Sequence, residues 1–185
     1  EAAWAAANAL RAVGGRVAMI TMDPDRIGTM SCNPAIGGLA KGQIVREIDA
    51  LGGVMGRIAD ATGIMFKMLN TSRGAAVRGP RCQNDKEAYR LEAQRRLAGR
   101  AGIEVIAGTV AELLVDEGPK KRIRGVRVPA GGGVARPVDG AYPVGADEPS
   151  ASGFDLLAKA VVLTTGTFMR ALMHVGESQT PGGRI

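Results

Sequence analysis

Three kinds of hydrophobic pattern run along this chain and predict its elements. Segments with high helix propensity, or with apolar residues at helical spacing, predict helices over 1–13, 42–51, 54–60 and 84–98. Short apolar runs predict strands over 17–21, 64–69, 103–107 and 156–165, although a run of this length is also compatible with a helix. Alternation over 120–128 predicts one strand of a hairpin. Helices interspersed with strands indicate an α/β fold.

The segment 29–42, with the sequence TMSCNPAIGGLAKG, fits neither a regular helix nor a strand. Its proline favours an extended or turning path, and its three glycines permit positive φ or a close approach of two backbones. A loop of this kind can present N–H groups to an anion or a flat ring. A turn around a buried thiol, Cys32, is the alternative interpretation.

A second irregular segment, 70–81, carries three arginines separated by glycines and alanines: Arg73, Arg78 and Arg81. Guanidinium groups suit phosphate or carboxylate ligands because they donate two parallel hydrogen bonds. A solvent-exposed loop whose arginines pair with local carboxylates is equally compatible with the composition. The sequence alone therefore leaves both interpretations open.

Composition and charge narrow the class of protein. Aromatic residues make up only 3% of the 185 residues, so the core must be aliphatic, and no apolar run is long enough to predict a membrane span. The net charge of +6 favours a polyanionic partner, although a solvated basic surface explains it equally well. Two cysteines without CxxC spacing predict no metal site and indicate reduced thiols, as in the cytoplasm. The single histidine, His174, is interpreted as structural.

The two ends of the chain suggest a dinucleotide-binding unit. A helix, a Gly-Gly pair and the strand 17–21 form the second half of a βαβ unit, so we expect the first strand and its GxGxxG turn to be missing. Asp23, after this strand, is either a ribose ligand or a turn residue. The late run 161–167 ends in T-x-G-T, which is typical of a strand closing a flavin domain, or of an ordinary buried strand.

Four segments occur in one order and carry a resemblance to a known family: MSCNPAIGG, KGQIVREIDALGG, GIMFKMLNTSRGAAVRGPR and AKAVVLTTGTF. They resemble the flavin domain of the glucose-inhibited division protein A family of tRNA-modifying enzymes. The resemblance implies that 1–185 is part of a Rossmann-like FAD-binding domain of the two-dinucleotide-fold flavoproteins, truncated at both ends. It leaves out 129–152, which is rich in proline and glycine and is expected to be a loop or an antiparallel β-hairpin insertion.

The same resemblance implies an activity. The intact enzyme would bind FAD, use NADH and a folate one-carbon donor, and add a carboxymethylaminomethyl-type group at carbon 5 of the wobble uridine of certain tRNAs. It would be a cytoplasmic homodimer with a GTPase partner and no membrane association. A related folate- and FAD-dependent tRNA uracil methyltransferase is an alternative, against which MSCNPAIGG argues. An inactive fragment that only binds RNA is another.

The resemblance also assigns residues to roles. Cys32 matches a family cysteine proposed as the nucleophile toward carbon 6 of uracil, and Lys41 nearby would favour its thiolate form. Arg78 and Arg81 are candidates for RNA or phosphate contact. Cys82 is interpreted as incidental. The expected cofactor-binding residues are Asn33, Gly37, Gly38, Lys41, Gly42, Arg73, Gly74, Val110, Thr165, Gly166 and Thr167.

Overall fold

A computed structural model of the chain describes residues 1–130, 153–166, 169 and 171–181. Helices in these ranges are α1 (Ala2–Leu10), α2 (Lys41–Ala50), α3 (Met55–Thr62) and α4 (Lys86–Ala98). The first five strands are β1 (Val17–Thr21), β2 (Ala35–Gly37), β3 (Gly63–Leu69), β4 (Gly79–Asn84) and β5 (Ile103–Ala107). The others are β6 (Glu112–Val115), β7 (Ile123–Val128), β8 (Phe154–Leu157), β9 (Leu172–Val175) and β10 (Ser178–Pro181). The predicted α/β class is confirmed.

Strands β1 and β5 form a parallel pair. Val17 lies opposite Ile103, and the pairing continues in register to the end of both strands. Helix α1 packs against both strands, and α4 packs against β5. After α1 the chain makes one 3₁₀ turn and reverses at Gly14, whose φ of 65° is accessible to glycine at no steric cost. This arrangement matches the helix, Gly-Gly and strand order that the sequence predicts.

The antiparallel sheet β2–β4–β3 carries the hydrophobic core on one face. Ile36 of β2 and Cys82 of β4 lie opposite each other and pack against residues of α2, α3 and α4. The core cluster consists of Ile36, Val45, Val54, Ile58, Ala59, Cys82, Tyr89 and Ala93. Its members are mostly aliphatic, as the low aromatic content predicts, and they fix three helices behind this sheet.

Polar contacts hold the same helices in place. Asn84 is only 1% exposed, and its Nδ2 donates to the carbonyl of Ala59 at 2.9 Å and to Thr62 Oγ1 at 3.2 Å, which ties β4 to α3. The Glu1 carboxylate accepts the backbone N–H of Val54 at 3.1 Å, just before α3 begins. Buried polar groups stabilise a fold only when they are hydrogen-bonded, so these contacts define where α3 sits against the sheet.

The C-terminal part of the chain departs from its predictions. The single strand predicted over 156–165 is wrong, since the strand is Phe154–Leu157 and pairs antiparallel with β7. Val162 and Leu163 are 69% and 60% exposed, and within the described residues no strand pairs with them. Farther along the chain, β9 and β10 pair antiparallel in a hairpin. Residues 131–152 of the expected insertion lie outside the described residues.

Helix length bears on the prediction of no membrane span. Among the residues that the structure describes, no helix is both long enough and apolar enough to cross a bilayer.

Candidate functional site

Pairing of β2 with β4 brings the two irregular segments, 29–42 and 70–81, side by side. Gly37 lies opposite Arg81, and the Gly38 N–H donates to the Pro80 carbonyl at 3.0 Å. Gly37 has a φ of 119°, and a Cβ there would lie 2.1 Å from the Pro80 oxygen, so only glycine permits this approach. Gly79 faces the Gly38 carbonyl in the same way, with 3.3 Å for a hypothetical Cβ. The glycines thus let the two segments meet.

The glycine bend, defined as residues 29–42, presents Cys32 to solvent. Met30 packs against the core cluster and anchors the start of the bend. The alternative interpretation, a turn around a buried thiol, is therefore wrong for Cys32. The Lys41 ammonium donates to the Ala35 carbonyl at 2.9 Å, and this hydrogen bond closes the bend.

The end of the bend runs directly into α2. Ala40, the residue before the helix, has the unusual dihedrals φ 60° and ψ −67°, and the Gly42 N–H donates to the Gly38 carbonyl at 2.9 Å. A non-glycine residue in this region is strained and persists only where its surroundings determine it. Because Gly42 also packs on the backbone of Gly37, with 3.5 Å for a hypothetical Cβ, the bend is tightly folded.

The basic loop, defined as residues 70–78, is closed at its base by side chains. Asn70 adopts a φ of 58°, and its Nδ2 donates to the Val77 carbonyl at 3.0 Å. The Arg78 guanidinium donates to the Thr71 carbonyl at 3.0 Å, across the same base. Arg73 lies exposed at the tip, beside Gly74, whose φ is 89° and which has open space around it. The loop is therefore ordered by internal contacts and presents Arg73 outward.

The two acid-free segments that contain β2, β3 and β4 together carry a charge equal to the net charge of the whole chain. Residues 27–46 and 61–84 contain six of the 24 lysines and arginines and no acidic residue, so the remaining 18 cations balance all 18 acids. The six are Lys41, Arg46, Lys67, Arg73, Arg78 and Arg81. Among the described residues, none of them has an ion-pair partner. The interpretation in which the arginines of 70–81 pair with local carboxylates is thus wrong for this part of the chain.

The chain is similar in sequence to one known protein family and to several of its members. The family described as "Glucose inhibited division protein A" matches residues 1–139 and 147–185. The "tRNA uridine 5-carboxymethylaminomethyl modification enzyme MnmG" of Pelobacter propionicus is 46% identical over 184 residues, which cover 100% of this chain and 25% of that protein. The MnmG of Bacteroides thetaiotaomicron is 43% identical over 185 residues, with the same coverage.

This chain belongs to the glucose inhibited division protein A family. A crystal structure of Aquifex aeolicus GidA, form II, aligns with it at a TM-score of 0.71 and 40% identity. That alignment covers 99% of this chain and 26% of the GidA chain. The chain thus spans about a quarter of the length of these relatives. The predicted family and the predicted α/β fold are both confirmed.

Other residues predicted from the GidA resemblance lie outside the sheet β2–β4–β3. Val110 follows β5 and is 37% exposed, close to Gly108, whose N–H donates to the Thr21 carbonyl at 2.9 Å. Thr165 and Gly166 are exposed, and Thr167 lies outside the described residues. Within the described ranges, no hydrogen bond or ion pair joins these residues to the glycine bend, so their cofactor roles remain predictions.

Three further residues acquire structural roles. Asp23 caps the 3₁₀ turn Pro24–Arg26, accepting the Asp25 N–H at 3.0 Å, which favours the turn interpretation over the ribose ligand. Cys82 is buried, and burial raises the pKa of its thiol, so this cysteine is less reactive than an ordinary thiol. His174 lies in β9.

One basic residue of the site was not predicted. Lys67 belongs to the apolar run 64–69, and its pairing with Arg81 across β3 and β4 appears only in the sheet register. The available signal was the absence of any acid between Asp60 and Asp85, a stretch that carries four cations. Charge balance along a segment, rather than a motif, would have identified it.

Proposed function

We propose that the protein containing this chain is an FAD-dependent enzyme that adds a carboxymethylaminomethyl-type group at carbon 5 of the wobble uridine of tRNA. Family membership and the activity for which the MnmG relatives are named support the reaction class. The observation that carries the proposal is the pairing of β2 with β4. This pairing puts the glycine bend, with its exposed thiol, beside the segment 70–81, which contains cations and no acid. The nucleophile and the cations that contact a polyanion would then lie in one small region of the fold.

The residues of the glycine bend fit a flat ring or an anion. A Cβ at Gly74 would meet nothing within 4 Å and this residue is exposed, so its backbone is open to close approach, whereas Gly38 is buried. FAD, when bound, supplies the redox chemistry. The bend residues that would hold it are Asn33, Gly37, Gly38, Lys41 and Gly42, together with Arg73 and Gly74 of the basic loop.

Cys32 is the candidate nucleophile of this enzyme. Its exposed sulfur can reach a substrate base without displacement of the core. An electron pair of the thiolate forms the S–C6 bond of uracil, and the C5–C6 electron pair moves toward the C4 oxygen, which makes carbon 5 nucleophilic. After carbon 5 has gained its substituent and lost its proton, the S–C6 bond breaks and the thiolate is restored. Cys32 is therefore regenerated in each turnover.

The remaining participants complete the proposal. NADH is the reductant and a folate derivative is the one-carbon donor, and neither is assigned to particular residues of this chain. The enzyme acts as a homodimer with a GTPase partner in the cytoplasm, where two free thiols persist in reduced form.

The proposal is tested with the full-length enzyme carrying Cys32→Ser. We expect the variant to bind FAD, as measured by flavin absorbance, and to lose wobble modification, as measured by mass spectrometry of tRNA nucleosides. Ser31→Ala is the matched control, because it changes the neighbouring exposed side chain and leaves the thiol intact.

Each possible outcome tests a different part of the proposal. Full modification by Cys32→Ser would refute the nucleophile role. A wild-type product with the mass of 5-methyluridine would replace the proposed reaction by that of a uracil methyltransferase. Wild-type enzyme that binds tRNA but modifies no uridine, with both cofactors supplied, would favour the RNA-binding interpretation.

A further inference from the structure

The sheet β2–β4–β3 has two chemically distinct faces. Cys82 and Asn84 of β4 point into the core, so the alternating residues Arg81 and Gln83 point to the opposite face. Lys67 of β3 lies directly opposite Arg81 in the antiparallel register. Residues directly opposite each other in such a pair share a face, so the two cations stand side by side. Lys67 is exposed and Arg81 is half-buried.

Like charges directly opposite each other destabilise a sheet. Segments 27–46 and 61–84 contain no acid, and among the described residues neither Lys67 nor Arg81 has an ion-pair partner. On its other side, Arg81 faces Gly37, which has no side chain. The central strand of this sheet therefore carries a cation whose neighbours on both adjacent strands leave its charge unbalanced.

The sheet β6–β7–β8 of the same chain shows the balanced arrangement. Arg127 of its central strand lies opposite Glu112 on one side and Asp155 on the other. Its guanidinium donates to Glu112 Oε2 at 3.0 Å and to Asp155 Oδ1 at 2.7 Å. A central-strand arginine is thus paired with two acids in one sheet and with a lysine and a glycine in the other. Within the part of the chain that the structure describes, Arg81 therefore lacks the counter-charge that Arg127 has.

We infer that Lys67 and Arg81 form a phosphate-contacting pair on the surface that binds tRNA. The inference rests on the proposed function, because it takes tRNA as the substrate. A nucleic acid fits better than an acidic protein, since the other cations of the acid-free segments extend the charge around the pair, as a chain of phosphates requires.

This inference also gives different roles to the arginines of the segment 70–81. The Arg78 guanidinium donates to the Thr71 carbonyl across the base of the basic loop. Arg78 is therefore a positioning residue that orders the loop, whereas Arg81 and Lys67 supply charge to the ligand.

The test measures tRNA affinity of the full-length enzyme as a function of salt concentration, by fluorescence anisotropy, for Lys67→Gln, Arg81→Gln and the double variant. Each lost phosphate contact reduces the magnitude of the slope of log K against log salt by roughly 0.7–1, so the double variant should lose roughly 1.4–2. Lys67→Arg should retain the wild-type slope. Lys120→Gln, at an exposed cation between β6 and β7, is the matched control and should leave the slope unchanged.

The outcomes distinguish this inference from the proposed function. A wild-type enzyme that binds tRNA, with an unchanged slope in the double variant, overturns the inference and leaves the function standing. Loss of FAD absorbance without a change of slope assigns the pair to the cofactor and also overturns it. Weaker binding of the GTPase partner, with no change in the salt dependence of tRNA binding, also overturns the inference. If Arg81→Gln does not fold, Lys67→Gln still decides, because Lys67 is exposed.

Discussion

Replacing Gly37 with alanine tests whether the close approach of β2 and β4 holds the glycine bend against the segment 70–81. The new Cβ would lie 2.1 Å from the Pro80 carbonyl oxygen and 2.7 Å from the Arg81 Cα, both backbone atoms that cannot rotate away. Contacts of a real Cβ almost never fall below 3.0 Å, so the two strands must separate by about 1 Å. Local pairing of β2 with β4 should therefore weaken.

The cost has two parts. A non-glycine residue at a φ of 119° pays about 1–2 kcal/mol of backbone strain. Separation by about 1 Å also stretches the hydrogen bond from Gly38 N–H to the Pro80 carbonyl, now 3.0 Å, beyond bonding range, which loses about 0.5–1.5 kcal/mol. The sum is about 1.5–3.5 kcal/mol, or roughly a 12- to 400-fold increase in local opening.

Gly38→Ala is the matched control for this experiment. Gly38 also has a positive φ, 91°, but a Cβ there meets only Leu69 Cδ1 at 3.7 Å. It should cost the backbone strain alone, about 1–2 kcal/mol, and so increase opening by roughly 5- to 30-fold. Hydrogen exchange of the full-length protein, followed by mass spectrometry of peptides covering 35–42 and 79–84, measures both. Equal exchange in the two variants would refute the argument that the strands must separate.

Two further predictions concern a thiol and a carboxyl group. Because burial raises the pKa of the Cys82 thiol while Cys32 is exposed, iodoacetamide near neutral pH should label Cys32 first, and Cys82 only under denaturing or strongly alkaline conditions. Peptide mass spectrometry checks this, and equal labelling of the native protein would contradict it. Hydrogen bonds from Arg95 and Arg96 lower the pKa of Glu92 to about 2, so its contribution to stability is complete above about pH 4.5 and is lost as the pH falls toward 2. Glu92→Gln should flatten the pH dependence of Tm in that window; an unchanged profile would refute it.

Sequence patterns predicted those elements whose signals are local. Helix α4 begins at Lys86, two residues after the predicted start at 84, because Asp85 accepts the Ala88 N–H at 2.8 Å and so caps the first turn. The turn after α1 also has a local signal, because Gly14 readily adopts the positive φ that ends the helical segment. Pairing of β2 with β4 had no such signal, since these strands are far apart in the sequence and their register depends on tertiary packing. Both site segments were therefore predicted, but not their contact.

The error over 156–165 has a physical cause. An apolar, β-branched run predicts the burial preference of a segment, whereas a strand also needs a neighbour that completes its backbone hydrogen bonds. Residues 154–157 find that neighbour in β7, and the Ala158 N–H still donates to the Arg124 carbonyl at 2.8 Å. Beyond Ala158, no strand among the described residues offers a ladder, and Val162 and Leu163 stay exposed. Hydrophobicity identified the segment but not its partner.

Strand β4 couples the stability of this fold to its proposed RNA contact. Its residues alternate strictly, with Cys82 and Asn84 bonded toward α3 and Arg81 on the opposite face. A slip of one residue would carry Arg81 into the core and expose the Asn84 amide, so the buried contacts of Asn84 also determine the side on which the cation stands. Substitutions that loosen Asn84 should therefore weaken polyanion binding without touching a basic residue, and a sheet without that anchor would present its charge on either face.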